Sequence, residues 1–462
     1  MSQSTVNHSR LFGTNGVRGI FDDQLSFEVV IDLVHSLGSY YSDGDIIVGC
    51  DGRKSSPILT RIVQATLNSD GHDVVDAGVI PTPCLQYSTK KGAFRGGIMI
   101  TASHNPPEYN GIKPSADDGV EISRNDELEI ERIYREKNFA KTLDYGVTRQ
   151  QDLLKFYISD VLNLVDVEKI RKHQFKIVMD FGNGVQALVA PILAKKLGCQ
   201  VVAINGQIDG DFLARGSEPT PENLHDLSFL VKELGANLGV AYDGDGDRSI
   251  FCDNEGVVHW GDRTGTLLVK HLLSLRHRKA QVVCPINTTS VLAKIVGELG
   301  SDVIYTKVGS VEVSREMVKR KAIIGLEENG GFMYGVLNEV RDGALTTALI
   351  LDMLASDENS LSGMFSTLPV VHQHKTKFRC SNQQLVEEVI QCCMHHGNPV
   401  RVETLDGIKI WIDDETWIMI RPSGTEPLLR MYAESTDRDL IDSKVKEYTR
   451  LINEILEKEL TK

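Results

Sequence analysis

One pattern occurs three times along this chain: an apolar run, a polar turn, a helix-spaced stretch and a second apolar run. Residues 45–51, 176–182 and 281–287 are the first runs, and 72–77, 200–204 and 302–305 the second. Between them, Ile58-Leu59, Ile62-Val63 and Leu67, then Ile192-Leu193 and Leu197, then Val291-Leu292, Ile295-Val296 and Leu299, carry apolar residues at helical spacing. A strand, a helix and a strand joined by short links close into a parallel crossover. Three copies predict three similar mixed α/β (βαβ) domains. A chain of 462 residues is in any case too long for one core.

The last part breaks the pattern. From about residue 375 the apolar runs 408–412, 417–420 and 428–432 follow one another across short turns, and a helix is expected from about 437 to 460. That order predicts a smaller α+β domain with a mainly antiparallel sheet. The expected domains are 1–148, 149–253, 254–368 and 369–462, arranged around a central cleft.

Three polar loops carry the chemistry. After Gly97-Ile98-Met99-Ile100 comes Thr101-Ala102-Ser103-His104-Asn105-Pro106, a hydroxyl beside an imidazole, with Lys113 a few residues on. Loops at strand carboxyl ends bind ligands in open α/β sheets. A lone serine there is ordinarily a turn residue, and as a nucleophile it needs a base or an electrostatic environment to activate it. Neither G-x-S-x-G nor S-x-x-K surrounds Ser103.

The second loop, Asp243-Gly244-Asp245-Gly246-Asp247-Arg248, places three carboxylates in five residues. An acidic surface turn is one reading; a site for a hard divalent cation is the other. An EF-hand is excluded, because its sixth position would be Arg248 in place of Gly and its twelfth Asn254 in place of Glu. Three one-oxygen ligands leave coordination positions for water or a phosphate oxygen, which suits Mg²⁺. The third loop, Arg421-Pro422-Ser423-Gly424-Thr425-Glu426-Pro427, joins a guanidinium, two hydroxyls and a glycine turn into a phosphate cradle.

In this order and at this separation the three loops resemble those of the α-D-phosphohexomutases, the family of phosphoglucomutase, phosphomannomutase and phosphoglucosamine mutase. The resemblance extends to Leu11-Phe12-Gly13-Thr14-Asn15-Gly16-Val17-Arg18-Gly19, to Gly49-Cys50-Asp51-Gly52-Arg53 and to Gly325-Leu326-Glu327-Glu328-Asn329-Gly330-Gly331. It implies that Ser103 carries a phosphoryl group. It also implies that Asp243, Asp245 and Asp247 hold Mg²⁺ with an oxygen at Ser103, and that Arg421, Ser423, Gly424 and Thr425 grip the substrate phosphate. Arg18, His104 and Lys113 match positions around the reacting centre. Arg248, Gly309, Ser310, Glu327 and Asn329 match substrate-binding positions. The implied reaction moves phosphate between O6 and O1 of a hexose phosphate, with hexose 1,6-bisphosphate as intermediate and activator.

The chain departs from the family at places that bear on mechanism and sugar choice. Several members end the sugar loop in a histidine proposed as acid or base; here the position is Gly331. Lys113 is the first candidate for the base, and it needs a lowered pKa for that role. His104 either shares the role or only fixes the loop. Asn329 stands where a serine is usual, and Ser310 follows Gly309 where a histidine is usual. The FGTNGVRG opening and EENGG loop look most like archaeal phosphoglucosamine mutases, which implies glucosamine phosphate; broad use of glucose and mannose phosphates is the alternative. A metal-dependent sugar phosphatase would not need Ser103 or a sugar loop, and a non-catalytic sugar-phosphate-binding protein would not need all three aspartates.

A formal charge of −14 argues against nucleic-acid and acidic-membrane partners, so an anionic substrate needs a local positive cluster. Arg18, Arg53, Lys113, Arg248 and Arg421 are the candidates. Eight cysteines without a C-x-x-C pair make neither a zinc site nor a disulfide framework, and buried thiols in a reducing compartment are expected. Residues 1–10 lack an apolar signal core and no run reaches the ~20 residues of a membrane helix. The expected protein is cytoplasmic, a monomer or homodimer, with a small phosphosugar as its partner.

Overall fold

Residues 46–50 form the buried centre of the first sheet, strand Ile46–Cys50, with parallel neighbours Val74–Val79 and Gly96–Ile100. Strand Tyr109–Ser115 then turns back antiparallel on Gly96–Ile100. Val17–Ile20 adds to its outer side, and Thr148–Gln150 closes the opposite edge. This computed structural model describes residues 11–13, 15–140, 142–380, 382–423 and 427–457.

The same plan recurs twice. The second sheet runs Gln200–Ile204, Lys176–Asp180, Leu238–Tyr242, Ser249–Asp253, Val258–His259; the third runs Val303–Thr306, Val282–Pro285, Ile324–Leu326, Phe332–Tyr334, Asn338–Arg341. In all three, the first strand of the repeat lies between two parallel partners, and the next strand is antiparallel. The fold class expected from the repeat is therefore present. The antiparallel return strand was not part of the sequence repeat, and the turn into it is where each domain places its polar loop. Apart from Lys176 at the start of its strand, the inner strands are buried from end to end, as strands covered by helices on both faces are.

The fourth sheet, in order His372–Arg379, Leu428–Ser435, Trp417–Pro422, Ile408–Trp411, Arg401–Glu403, is antiparallel throughout. Its alternation assigns the two faces. Ile408, Ile410, Ile418, Ile420, Leu429 and Met431 pack with residues of helices Gln383–Met394 and Arg438–Glu457. Trp411, Trp417, Met419 and Tyr432 face Ile286 of the third domain. The last helix begins where expected and reaches the end of the described residues.

Helix Gly343–Ala355 is buried at all 13 positions, as an apolar surface on every side requires. It packs against helices from the second and third domains, and one continuous core joins these two with part of the first. The fourth domain docks through polar contacts. Lys409 Nζ donates to Ile286 O at 2.8 Å and lies 4.0 Å from the Trp417 ring centre. Glu434 Oε1 accepts from Ser290 N (2.8 Å), Ser290 Oγ (2.5 Å) and Trp417 Nε1 (3.2 Å), and Glu434 Oε2 accepts from Gln373 Nε2 (2.9 Å). Seven of the cysteines are buried and Cys392 is exposed, none in a disulfide. Among the described residues no helix is long and apolar enough to cross a membrane.

Glu434 is fully buried, and its loss strands several donors at once. Glu434→Ala is expected to cost about 2–4 kcal/mol, since each unpaired buried polar group costs about 1–3 kcal/mol. Urea denaturation compared with Glu434→Gln, which keeps the shape and one accepting oxygen, measures it.

Candidate active site

The turns out of Gly96–Ile100, Leu238–Tyr242 and Ile324–Leu326 are equivalent in the three repeats. They carry Ser103, Asp243 and Glu327. Each lies at the carboxyl end of a strand beside the repeat's central strand, the place where open α/β sheets bind ligands.

The Ser103 loop is held from below by one ion pair. Asp51 accepts from Arg53 N and Nε (both 3.0 Å), Ser56 Oγ (2.7 Å) and Thr101 Oγ1 (2.7 Å). Arg53 also donates to the carbonyls of Pro106 (2.5 Å), Tyr109 (2.9 Å), Ser103 (2.8 Å) and Asn105 (2.7 Å). All five N–H donors of a guanidinium are thereby used. Arg53, counted by sequence among the cations that draw the substrate, instead fixes the loop from within. Ser103 has φ +51°, a left-handed conformation that costs a non-glycine residue about 1 kcal/mol or more. Its N–H donates to Thr101 Oγ1 at 2.8 Å. From the second domain, Ser217 Oγ donates to His104 O (2.7 Å) and Asn105 O (3.0 Å).

Ser103 Oγ donates to Asp243 Oδ2 at 2.9 Å. Asp243, Asp245 and Asp247 are buried, each with a ligand oxygen within 4.8 Å of the others. Gly244 allows the approach, since a Cβ there would stand 2.7 Å from Ser103 O, and Gly246 turns the chain at φ +77°. Thr82, at the start of a first-domain helix, donates through Oγ1 to Asp245 Oδ2 at 2.6 Å. Asp245 Oδ1 and Asp247 Oδ1 are buried and accept no hydrogen bond. Unpartnered buried carboxylate oxygens beside a third carboxylate are the donor set a hard divalent cation requires. Burial, then Asp247 and Asp245, push Asp243 well above the usual carboxylate range. Burial would do the same to Asp247, but Arg341, Lys113 and Arg248 outweigh it and hold it low.

Cations from all three α/β domains surround these acids. Lys113 Nζ donates to Asp247 Oδ2 at 3.2 Å and lies 3.7 Å from Glu121 Oε1. Arg248 N donates to Asp243 Oδ1 at 3.1 Å, and its Nε stands 3.9 Å from both Asp243 and Asp247. Arg18 reaches Ala102 O (3.1 Å) and Asn105 Oδ1 (2.8 Å), and burial brings it down to about 10. His104 Nδ1 is 3.4 Å from Ser103 Oγ. Burial first, then Arg248, Arg18 and Arg341, hold its imidazole well below 6.5, so it is neutral at neutral pH.

The sugar-loop candidates are nearby. Glu327 Oε2 accepts from Arg341 Nη1 at 3.2 Å, and burial raises its carboxyl. Asn329 Oδ1 accepts from Gly331 N at 3.2 Å and so closes its own turn. Gly309 caps the helix that starts at Ser310, whose Oγ accepts from Asn15 Nδ2 at 3.1 Å. In the fourth domain, Arg421 Nε donates to Asp406 Oδ2 (2.8 Å), which also accepts from Val308 N (3.0 Å). Ser423 N donates to Leu428 O at 2.8 Å. Gly424 and Thr425 lie outside the described residues.

Comparison with known proteins identifies this assembly. Phosphoglucomutase/phosphomannomutase α/β/α domains I, II and III match residues 9–141, 155–256 and 260–370, and the C-terminal domain matches 377–450. The chain belongs to the phosphoglucomutase/phosphomannomutase family. It is 40% identical over 452 residues to the phosphoglucosamine/phosphogalactosamine mutase of Sulfurisphaera tokodaii, covering 96% of this chain and 99% of that protein. It is 37% identical over 460 residues to the phosphoglucomutase/phosphomannomutase of Thermococcus kodakarensis, covering 98% and 99%. A solved phosphoglucomutase/phosphomannomutase family protein from Burkholderia thailandensis matches with TM-score 0.86 and 26% identity, over 96% of this chain and 97% of its own. The chain is thus a phosphohexomutase, an intramolecular phosphotransferase.

Several residues of this phosphohexomutase were not singled out by sequence reasoning. Arg341 donates to Asp247 Oδ2 at 2.5 Å as well as to Glu327. Glu121 binds Asn15 Nδ2 at 3.1 Å and pairs with Lys113. Thr82 braces the aspartate loop. None belongs to a local motif. The one signal available was a charged Arg341-Asp342 pair at the head of a largely apolar helix.

Arg53→Lys leaves three donors for five acceptors, and a destabilisation of at least about 2 kcal/mol is expected by urea denaturation. His104 supplies a pH test. Its folded pKa is depressed, so below pH 6.5 the unfolded chain binds a proton that the folded protein does not. Wild type is therefore expected to lose stability relative to His104→Gln, by about 1.4 kcal/mol per pH unit below that point. Urea curves at about pH 7.5 and about pH 5.5 read the difference.

Proposed function

We propose that this phosphohexomutase interconverts glucosamine 6-phosphate and glucosamine 1-phosphate, through a phosphorylated Ser103 and a hexose 1,6-bisphosphate. The observation that carries the reading is the 2.9 Å contact between Ser103 Oγ and Asp243, which sets a hydroxyl on the rim of a buried three-carboxylate cluster. Asp243, Asp245 and Asp247, with an oxygen at Ser103, would hold Mg²⁺. When bound, that ion supplies positive charge against the transferring phosphoryl group.

In the forward half-reaction the bond between phosphorus and Ser103 Oγ breaks as phosphorus bonds to the free sugar oxygen. The sugar proton leaves to a base and one proton is returned from that base's relay to Ser103 Oγ, so that none is gained or lost overall. The bisphosphate then turns, and its other phosphoryl group returns to Ser103. Little covalent chemistry is asked of the protein; positioning and electrostatics dominate such transfers. Arg18 and Arg248 face the reacting centre. Lys113, an ammonium paired with Asp247 and Glu121, acts as the base by passing a proton to Glu121, whose Oε2 accepts no hydrogen bond, as it takes up the proton of the sugar hydroxyl. Neutral His104 orients the Ser103 hydroxyl. Glu327, Asn329, Gly309 and Ser310 receive the sugar. Arg421, Ser423, Gly424 and Thr425 hold the phosphate that is not reacting, in either pose.

Glucosamine is favoured by the name of the Sulfurisphaera tokodaii relative. The name of the Thermococcus kodakarensis relative favours a second reading, in which glucose and mannose phosphates are also turned over.

The test is ³¹P NMR of the protein with Mg²⁺, a trace of hexose 1,6-bisphosphate, and glucosamine, glucose or mannose 1-phosphate in separate tubes. Conversion to the 6-phosphate is expected, fastest with glucosamine; release of inorganic phosphate alone would replace the mutase reading with a phosphatase. Ser103→Ala is expected to abolish turnover and to remove a one-phosphoryl increment from the intact mass. Arg421→Ala is expected to raise KM about 10-fold or more, as loss of a charge-assisted contact does, and an unchanged KM counts against the clamp.

A further inference from the structure

Arg341, like Lys113 between Asp247 and Glu121, joins carboxylates that belong to two domains, but its two partners are an aspartate of the second domain's acidic loop and the glutamate of the third domain's loop. It ends strand Asn338–Arg341 of the third sheet and is buried. Nη2 donates to Asp247 Oδ2 of the second domain at 2.5 Å, and Nη1 donates to Glu327 Oε2 of the third at 3.2 Å. Its course is walled. A Cβ on Gly331 would stand 2.4 Å from Arg341 Cδ, 2.8 Å from its Cγ and 3.1 Å from Glu327 Oε2. The backbone just beyond is anchored, since Asp342 N donates to Phe332 O at 3.0 Å and Asp342 caps the buried helix through Leu345 N at 3.0 Å. A planar guanidinium on a fixed shaft presents separate N–H groups to two acids in one orientation, whereas the ammonium of a lysine is a rotatable point charge that fixes neither carboxylate's orientation.

We propose that Arg341 is the positioning residue that orients Asp247 and Glu327 together, and that divalent-metal binding and sugar binding are coupled through it. This rests on the reading above, in which Asp247 is a metal ligand and Glu327 receives the sugar. Arg341 takes up Asp247 Oδ2 and leaves Oδ1, which accepts no hydrogen bond, within the buried carboxylate cluster. A sugar hydroxyl that draws Glu327 away changes its pairing with the shared guanidinium, and with that the hold of the guanidinium on Asp247. By linkage, the metal must then change sugar affinity by the same factor as the sugar changes metal affinity.

The experiment is isothermal titration of Mn²⁺ into full-length protein, with and without glucosamine 1-phosphate, in a Ser103→Ala background that does not turn the sugar over. Two variants are compared with that parent. Arg341→Lys keeps the charge and loses the fork; Gly331→Ala keeps every charge and displaces the arginine shaft. Both are expected to weaken Mn²⁺ binding roughly 10-fold or more, as removal of an outer partner of a metal ligand does. Both are also expected to reduce the sugar-dependent gain in Mn²⁺ affinity to near unity. A parent that binds Mn²⁺ while a folded variant matches it, in affinity and in that gain, overturns the proposal alone. If neither the parent nor wild-type protein binds Mn²⁺, the metal reading falls and the proposal with it, and a parent whose Mn²⁺ affinity the sugar leaves unchanged overturns the coupling alone. Melting curves of the metal-free proteins establish that each variant is folded, and either variant suffices for the test.

Discussion

Asp243, Asp245 and Asp247 repel one another where little water reaches them. At the 4.8 Å limit of their ligand oxygens, two unit charges interact by roughly 3 kcal/mol even at an effective dielectric of 20. The surrounding structure answers that repulsion. Lys113 comes from the first sheet, Arg248 from the loop itself and Arg341 from the third sheet. One loop's electrostatic demand therefore helps to bring three domains into register, and their shared core gives the arrangement its rigidity. The serine is part of the same system, since its hydroxyl donates into the cluster.

Much of this was legible in the sequence because it is local. Periodicity marks strands and helices, and a run such as Asp243 to Arg248 declares its chemistry within a few residues. The three equivalent turns follow from the repeat once the antiparallel return strand is added. Contacts between domains were not legible. Nothing near Arg53 says that its guanidinium faces five acceptors inside its own domain, whereas Arg248 keeps its side chain beside the carboxylates. Arg341 and Thr82 act on residues 94 and 163 positions away in the chain, beyond the reach of any spacing argument. Neutral His104 is likewise a product of burial among arginines brought by other segments.

The fourth domain is attached differently. Its interface combines a small aromatic cluster with polar groups that are individually well paired: Lys409 over Trp417, Glu434 with its four contacts, and Lys375 with Glu328 at 3.0 Å. Asp406 ties Arg421 to Val308 at the edge of the third domain. Interfaces of this polar kind permit relative domain motion more readily than a large apolar one. The proposed mechanism, in which a bisphosphate turns between the two half-reactions, calls for such an attachment.

The outer position next to the return strand is filled in the first sheet by Val17–Ile20, which precedes the repeat, whereas the other two sheets use a strand that follows it. Val17 pairs with Ile112 and Arg18 with Gly111, so the beginning of the domain cannot find its place until residues far downstream have been synthesised. Contacts of such long sequence separation form slowly. Through that pairing Arg18 meets Asn105 of the Ser103 loop and Asn15 meets Glu121. During translation the parallel core of the first domain can therefore assemble before its active-site edge, and the chain becomes competent for chemistry at a later stage than it becomes compact.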